Sequence, residues 1–369
     1  MEKKLISKQN RLCFVDYAKA FGIFLVVFAH SPYNILYETM VGGGVKKLIY
    51  AFSMPLFFIL YGITWKCHYD FKRNNIRDGL KYIWGFLKRK FFRLLFPAFL
   101  WGMIYAPFSL KNIFFVLYGS QKSFVASGSL SSLWFLPCMF LACFMFELLM
   151  IFQINRKPWM QIIFAIFFSI IGFFISHIYR PQYGWLWSID VAFMATSFIL
   201  WGNVLKGVFD KISTKFSISI CRFVYACIFI LASILLIFTY RFNLPYLKIS
   251  NVDLASGSYG NYFLFILDAL AGSIAILSIS KLIEILFHFR FLQSIGKTSM
   301  AIFILHKPIL LLLTSFLQNQ AVFGFLLPNT LIVFISVFIA FFFSYILGLF
   351  IRYYFPWMLG ERNEKNSMG

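Results

Sequence analysis

Long apolar stretches are the feature of this sequence that most restricts its fold. A helix that crosses a membrane needs roughly 20 mostly apolar residues, and ten stretches of the chain approach that length. They run over residues 13–35, 48–66, 91–109, 131–153, 159–178, 185–205, 219–240, 261–287, 298–316 and 329–354. Because barrel strands would be shorter and would alternate in polarity, the sequence predicts an all-α polytopic membrane protein with about ten transmembrane helices.

Composition supports the same fold class. Hydrophobic residues make up 61% of the 369 residues and charged residues only 13%, whereas a soluble protein usually carries about 25% charged residues. The mean hydropathy is +0.79. We expect one transmembrane domain over residues 1–360 and a short polar cytoplasmic tail over 361–369. The apolar stretch 110–119 is too short to span, so it is predicted to lie at the membrane interface.

The formal charge of +21 is explained by membrane topology. Cytoplasmic loops of membrane proteins retain an excess of Lys and Arg. With ten spans and the N-terminus inside, 25 of the 34 basic residues fall on the inner side, seven on the outer side and two within spans. This distribution predicts that both termini are cytoplasmic, and it removes the need for a nucleic-acid partner.

The first apolar stretch carries three ionisable residues, each of which is costly within a bilayer. Asp16 and Lys19 are three residues apart and can pair on one helical face. Lys19 and His30 are eleven apart, which is about 16 Å of rise and three full turns plus about 20°. They therefore share one stripe of the helix. The alternative is that both side chains simply reach the two membrane interfaces.

Other polar residues recur at similar depths in later spans. Two histidines and two carboxylates that converge from different helices would provide a general base and a group to orient it. For Asp268 the alternative is a hydrogen bond to a neighbouring helix. His68, His177 and His288 stand at span ends and are predicted to be interfacial. The candidates for an outer cavity are Trp134, Asp190, Asp268 and His306. Lys307 either lines the same cavity or pairs with an acid, and Arg93 and Glu147 fall in the inner half.

The basic run at 87–97 (LKRKFFRLLFP) has two interpretations. It is a topology signal and an anchor to anionic lipids, or it is a phosphate-binding entrance for a cytoplasmic donor such as an acyl-CoA. The six cysteines lie mostly in apolar runs without a C-x-x-C pair, so neither a zinc site nor any other metal site is predicted.

The first helix (DYAKAFGIFLVVFAH) resembles the opening helix of the membrane acyltransferase-3 family, in which a basic residue and a histidine are separated by ten residues. Here these are Lys19 and His30; lysine at the first position resembles the fucose 4-O-acetylase-like branch. Similar pieces follow in the family's order at 52–62 (FSMPLFFILYG), 132–136 (SLWFL), 187–193 (WSIDVAF), 259–261 (YGN) and 294–308 (SIGKTSMAIFILHKP).

This resemblance implies transfer of an acyl group, usually acetyl, from cytoplasmic acetyl-CoA or another acyl-CoA to a sugar hydroxyl of a surface polysaccharide or glycolipid, in a bacterial inner membrane. It implies no bound cofactor. His30 would be the catalytic histidine and Lys19 its basic partner, with Asp16 beside it along the path of the donor. Lys90 and Arg93 would bind the donor, although the family has arginine at both positions. The rival interpretation is a transporter of a glycan or lipid-linked sugar.

Overall fold

The protein is described by a computed structural model, which covers residues 12–31, 40–66, 76–151, 157–243, 252–318 and 329–361. The described chain is helical, with one isolated β-bridge between Asp253 and Ser258. The α-helices are α1 Cys13–Ala29, α2 Met40–Thr64, α3 Ile76–Lys90, α4 Phe96–Tyr105, α5 Leu110–Tyr118, α6 Gln121–Ala126, α7 Phe135–Ile151, α8 Pro158–Ile178, α9 Ile189–Lys215, α10 Ile218–Thr239, α11 Tyr262–Leu286, α12 Arg290–Gln318 and α13 Asn329–Tyr354.

Eight helical segments in the described ranges are long and apolar enough to cross a membrane, namely those containing α2 and α7 to α13. This confirms an all-α multi-pass membrane protein. The first and third predicted spans are not among the eight. Helix α1 has only 17 residues, and the helix that continues into α4 carries Lys88, Arg89, Lys90 and Arg93 directly before its apolar part. The count of ten therefore stays a prediction. So does the cytoplasmic location of both termini, since the two ends of the chain fall outside the described residues.

The third predicted span, 91–109, differs most from the structure. Helix begins earlier, at Ile76, and passes through a π-helical turn at Phe91–Leu95 into α4. It ends at Tyr105, where Ala106 adopts an extended conformation, because the residue before Pro107 is disfavoured in helix. The stretch predicted to be interfacial forms the separate short helix α5.

Helix α1 lies among four other helices and ends at the position that matters for function. It packs against α2, α11, α12 and α13. At its start, the Phe14 amide donates a 2.9 Å hydrogen bond to the Glu284 carboxylate, and a negative group is favourable at a helix N-terminus. At its end, His30 is the C-cap residue. Because Pro32 disfavours helix just before it, the helix stops short of the predicted boundary at 35.

Helices α1 and α12 run in the same direction, because Asp16 near the start of α1 contacts Gly296 and His30 at its end contacts His306. Near the start, a Cβ atom on Gly296 of α12 would lie 2.0 Å from the Asp16 carbonyl oxygen, so only glycine permits this approach. Further along, α12 contains Pro308, which lacks an N–H and leaves the Ile304 carbonyl without its helical partner. The Tyr105 hydroxyl donates to that carbonyl at 3.3 Å.

The crossing of α2 and α9 depends on two glycines that face each other's backbone. A Cβ on Gly62 would lie 2.0 Å from the Ile199 carbonyl oxygen, and a Cβ on Gly202 would lie 2.1 Å from the Ile59 carbonyl oxygen. Small residues at membrane helix contacts let backbones approach closely. This close contact between backbones joins the two helices of the core.

We expect Gly202→Ala to destabilise the protein by about 1–3 kcal/mol or more, since the added methyl group overpacks a backbone contact. Gly207 provides a matched control on the same helix, because a Cβ there meets nothing within 4 Å. Thermal unfolding of the purified protein in detergent should show a lower midpoint for Gly202→Ala and no loss for Gly207→Ala. Equal midpoints would contradict the close crossing.

Candidate active site

Two histidines from distant parts of the sequence meet where α1 ends. The His30 Nδ1 and His306 Nε2 atoms are 2.9 Å apart, and the ring centroids are separated by 5.0 Å. His306 is fully buried, whereas His30 is only partly buried. The pair therefore has one member enclosed by the helices and one member that a reactant can reach.

The hydrogen bonds assign a tautomer to each ring when both are neutral. The His306 Nδ1 atom lies 3.0 Å from the Ile302 carbonyl oxygen, which can only accept, so Nδ1 carries the proton. The His306 Nε2 atom is then an acceptor, and the His30 Nδ1–H group donates to it. This arrangement leaves the lone pair of His30 on Nε2, which is the state that a general base requires.

Two lysines surround this histidine pair. Lys307 follows His306 on α12, and its ammonium group donates to the Ser131 hydroxyl. Lys46 is 4% exposed and donates to the Ser31 carbonyl oxygen at 3.2 Å. The charges of both lysines act on the His30 ring. The site is therefore cationic as well as basic.

The carboxylate of Asp253 interacts electrostatically with the ammonium group of Lys307. It lies in the loop between α10 and α11, which the bridge to Ser258 closes into a tight turn. Burial raises the pKa of the Asp253 carboxyl, and hydrogen bonds from the Ala255 amide and the Gln121 side chain offset part of that rise. This loop therefore reaches from outside the spans to the lysine beside the histidines.

Lys19 and Asp16 lie nearer the N-terminal end of α1 than His30 does. Asp16 is buried and Lys19 is partly buried. The rise of the helix places Lys19 about 16 Å from His30 along the axis, so the two residues are too far apart on α1 to act on the same reacting atoms. The pairing of Asp16 with Lys19 stays a prediction.

Lys90 and Arg93, the predicted donor-binding pair, have different surroundings. The Lys90 ammonium lies 4.1 Å from the Tyr61 ring centroid, in contact with the helix bundle, whereas Arg93 is exposed in the π-helical turn. Glu147 is buried nearby and accepts hydrogen bonds from Trp65, at 2.9 Å, and from Tyr82. Lys206 donates to the Trp65 carbonyl oxygen at 2.8 Å.

The other outer-cavity candidates are not brought into one cluster. Trp134 is buried and packs edge-on against Phe135, which itself packs on Phe303, one turn before His306. Asp190 lies in the first turn of α9 and accepts a 3.4 Å hydrogen bond from Ser176.

Asp268 belongs to a helix contact. One oxygen of its carboxylate accepts from Thr239 on the neighbouring helix α10, which was the alternative open for it. The other oxygen has no hydrogen-bond partner among the described residues. His177 and His288 are exposed at helix ends, and His68 lies outside the described residues.

Three residues near the histidines have no role in the sequence prediction: Lys46, Ser131 and Asp253. Lys46 precedes the predicted second span, but α2 begins at Met40 and includes it. The three glycines at 42–44 lower the helix signal there. Ser131 is the first residue of the predicted span 131–153 and Asp253 lies in polar loop sequence, and no local pattern relates either residue to Lys307. Across the described ranges, no group of three or more His, Cys, Asp or Glu side chains could hold a metal ion.

Comparison with known families supplies the chemical class. A family profile described as "Acyltransferase domain", for the acyltransferase-3 family, matches residues 14–349. The chain belongs to the acyltransferase-3 family. No curated protein and no solved structure shows significant similarity to it. The histidine pair is therefore the candidate active site of a multi-pass membrane acyltransferase, and it includes the His30 on which the resemblance of the first helix depends.

Proposed function

We propose that this acyltransferase is an O-acetyltransferase of a bacterial inner membrane. It takes the acetyl group from cytoplasmic acetyl-CoA and transfers it to a sugar hydroxyl of a surface polysaccharide or glycolipid. The observation that carries the proposal is the His30–His306 hydrogen bond, because it leaves a basic nitrogen on a partly exposed histidine. A sugar hydroxyl is a weak acid, so it needs such a base when it attacks a thioester.

The proposed step is a single acyl transfer. The sugar oxygen attacks the thioester carbonyl carbon while its proton moves to His30 Nε2. The carbon–sulfur bond then breaks, and the departing CoA sulfur takes that proton from His30, which restores the neutral ring. His306 is a positioning residue, since it accepts from His30 Nδ1 and keeps the basic nitrogen on the side of the substrate.

A negative charge develops on the carbonyl oxygen during this attack and needs a preorganised donor. Lys19 is too far along α1 to supply one. Lys307, whose charge acts on His30, is the group we assign to this role. Lys19 and Asp16 instead flank the path of the donor. Lys90 and Arg93 form the cytoplasmic entrance, where their cationic groups suit the phosphates of CoA.

The test uses acetyl-CoA with a labelled acetyl group and the full-length protein in lipid nanodiscs, supplied with glycan from the cell envelope of the source organism. We expect label to appear in the glycan as an ester that mild alkali releases. A transporter would neither consume acetyl-CoA nor label the glycan, so that result would overturn the proposal.

A further inference from the structure

An open cleft lies beside the loop that carries Asp253, on the side of the protein that the predicted topology makes external. Six of its lining residues matter here: Gln121, Lys122, Arg180, Trp185, Asp190 and Ser256. They come from the start of α6, from the segment between α8 and α9, from the first turn of α9 and from the 252–261 loop. Three parts of the chain that are far apart in sequence therefore build one concave surface.

The cleft is linked to the histidine pair through one hydrogen bond and two electrostatic interactions. Gln121 lines the cleft and hydrogen-bonds to Asp253. Asp253 acts on Lys307, and the charge of Lys307 acts on His30. Ser256, three residues after Asp253, lines the cleft as well. The cleft is therefore connected to the histidine pair through Gln121, Asp253 and Lys307.

The walls of the cleft suit a sugar. Binding sites for small molecules combine apolar or aromatic surface with a few placed polar groups. Trp185 offers an indole whose N–H is held at 3.2 Å by the Tyr179 carbonyl oxygen, and Gln121 and Ser256 supply an amide and a hydroxyl. The backbone beside Trp185 is strained, because Trp187 and Ser188 have φ values of 51° and 52°. Such strain tends to cluster at functional sites.

Positive charge is concentrated around this path. Lys122 and Arg180 line the cleft, while Lys46 and Lys307 flank the histidines. The acids that face the same path in the described chain are Asp190 and Asp253. Arg180 is held in place, since its guanidinium donates to the carbonyl oxygens of Ser176 and Gly257. A fixed cation of this kind can attract an anion without losing side-chain entropy.

Topology does not explain these cations. Basic residues on the outer side act against the cytoplasmic bias that orients a membrane protein, and only seven are assigned there by sequence. Lys46, Lys122 and Arg180 are three of those seven, and all three lie along this one path. A local function in binding negative charge accounts for their position.

We propose that this cleft binds the acceptor of the acetyl group, and that the acceptor is a negatively charged sugar, carrying either a carboxylate or a phosphate. The inference rests on the proposed acetyltransferase function. Carboxylates and phosphates are both recognised by Arg and Lys through charge-assisted hydrogen bonds.

The test compares three acceptors with the full-length protein in nanodiscs and labelled acetyl-CoA: methyl glucoside, methyl glucuronide and glucose 1-phosphate. We expect at least one charged sugar to exceed methyl glucoside in kcat/KM. The Lys122→Gln variant should reduce that preference by about threefold, the size expected for an exposed ion pair. Added salt should reduce it in the wild type as well. Whichever charged sugar is preferred distinguishes carboxylate from phosphate.

Lys111→Gln is the matched control, because Lys111 is exposed on the neighbouring helix α5 and does not line the cleft. It should leave the preference unchanged. Three results overturn the inference: methyl glucoside performs as well as both charged sugars, Lys122→Gln and Lys111→Gln act alike, or no charged sugar is acetylated although His30-dependent turnover of acetyl-CoA occurs. Absence of any His30-dependent turnover with the envelope glycan as acceptor would instead overturn the proposed function.

Discussion

We expect His30→Ala to lower acetyl transfer by about 10²–10⁴-fold, the range for loss of a general base. The hydroxyl of the acceptor would then have no group to take its proton during attack on the thioester. The change should act on kcat and leave the KM for acetyl-CoA close to that of the wild type, because His30 stands at the far end of α1 from Lys19. Transfer of labelled acetyl groups to the glycan measures this effect.

The control for His30→Ala is His177→Ala. His177 is exposed at the end of α8, where its ring stacks on Phe173 with centroids 4.1 Å apart. We expect full activity for that variant and equal membrane insertion for both. A His30→Ala protein that inserts normally and keeps wild-type activity would contradict the mechanism.

The second large effect should come from His306. Replacement by phenylalanine keeps an aromatic ring but removes the acceptor for His30 Nδ1–H, so the lone pair on His30 Nε2 is no longer enforced. We expect kcat to fall by about 10²-fold, the lower end of the range for general-base catalysis, with little change in the KM for acetyl-CoA.

A glutamine at 306 separates positioning from packing. The side-chain oxygen of Gln can accept a hydrogen bond much as a neutral histidine nitrogen does, so His306→Gln should recover part of the activity that His306→Phe loses. Thermal unfolding of both variants in detergent checks that the bundle is intact. If both variants fall to the same activity, or if His306→Phe stays fully active, the assigned hydrogen bond has no role in catalysis.

Part of the site is readable from the sequence because it lies on one helix. The spacing of Lys19 and His30 follows from the rise and turn of an α-helix, and Pro32 stops α1 just after His30. The depth of His306 also follows from its place in an apolar stretch. These inferences need only local geometry and hydropathy.

The rest of the site depends on contacts between segments far apart in sequence. Nothing local distinguishes His306, which meets His30, from Asp268, which bonds Thr239 on α10. Asp253 lies in a loop without any apolar periodicity, so its relation to Lys307 could not be predicted. Lys90 and Arg93 are three residues apart, yet one contacts the bundle and the other is exposed.

The sequence by itself determined that this chain is a helical membrane protein of the acyltransferase-3 family, with a basic residue and a histidine on its first helix. Only the tertiary structure decided which helix faces meet, and so which residues accompany that histidine. The physical reason is that hydropathy indicates which segments lie in lipid but not which helices pack against each other. The packing of helices against each other depends on close contacts at small residues and on individual polar contacts. Examples are Gly296 against Asp16 and His306 against His30.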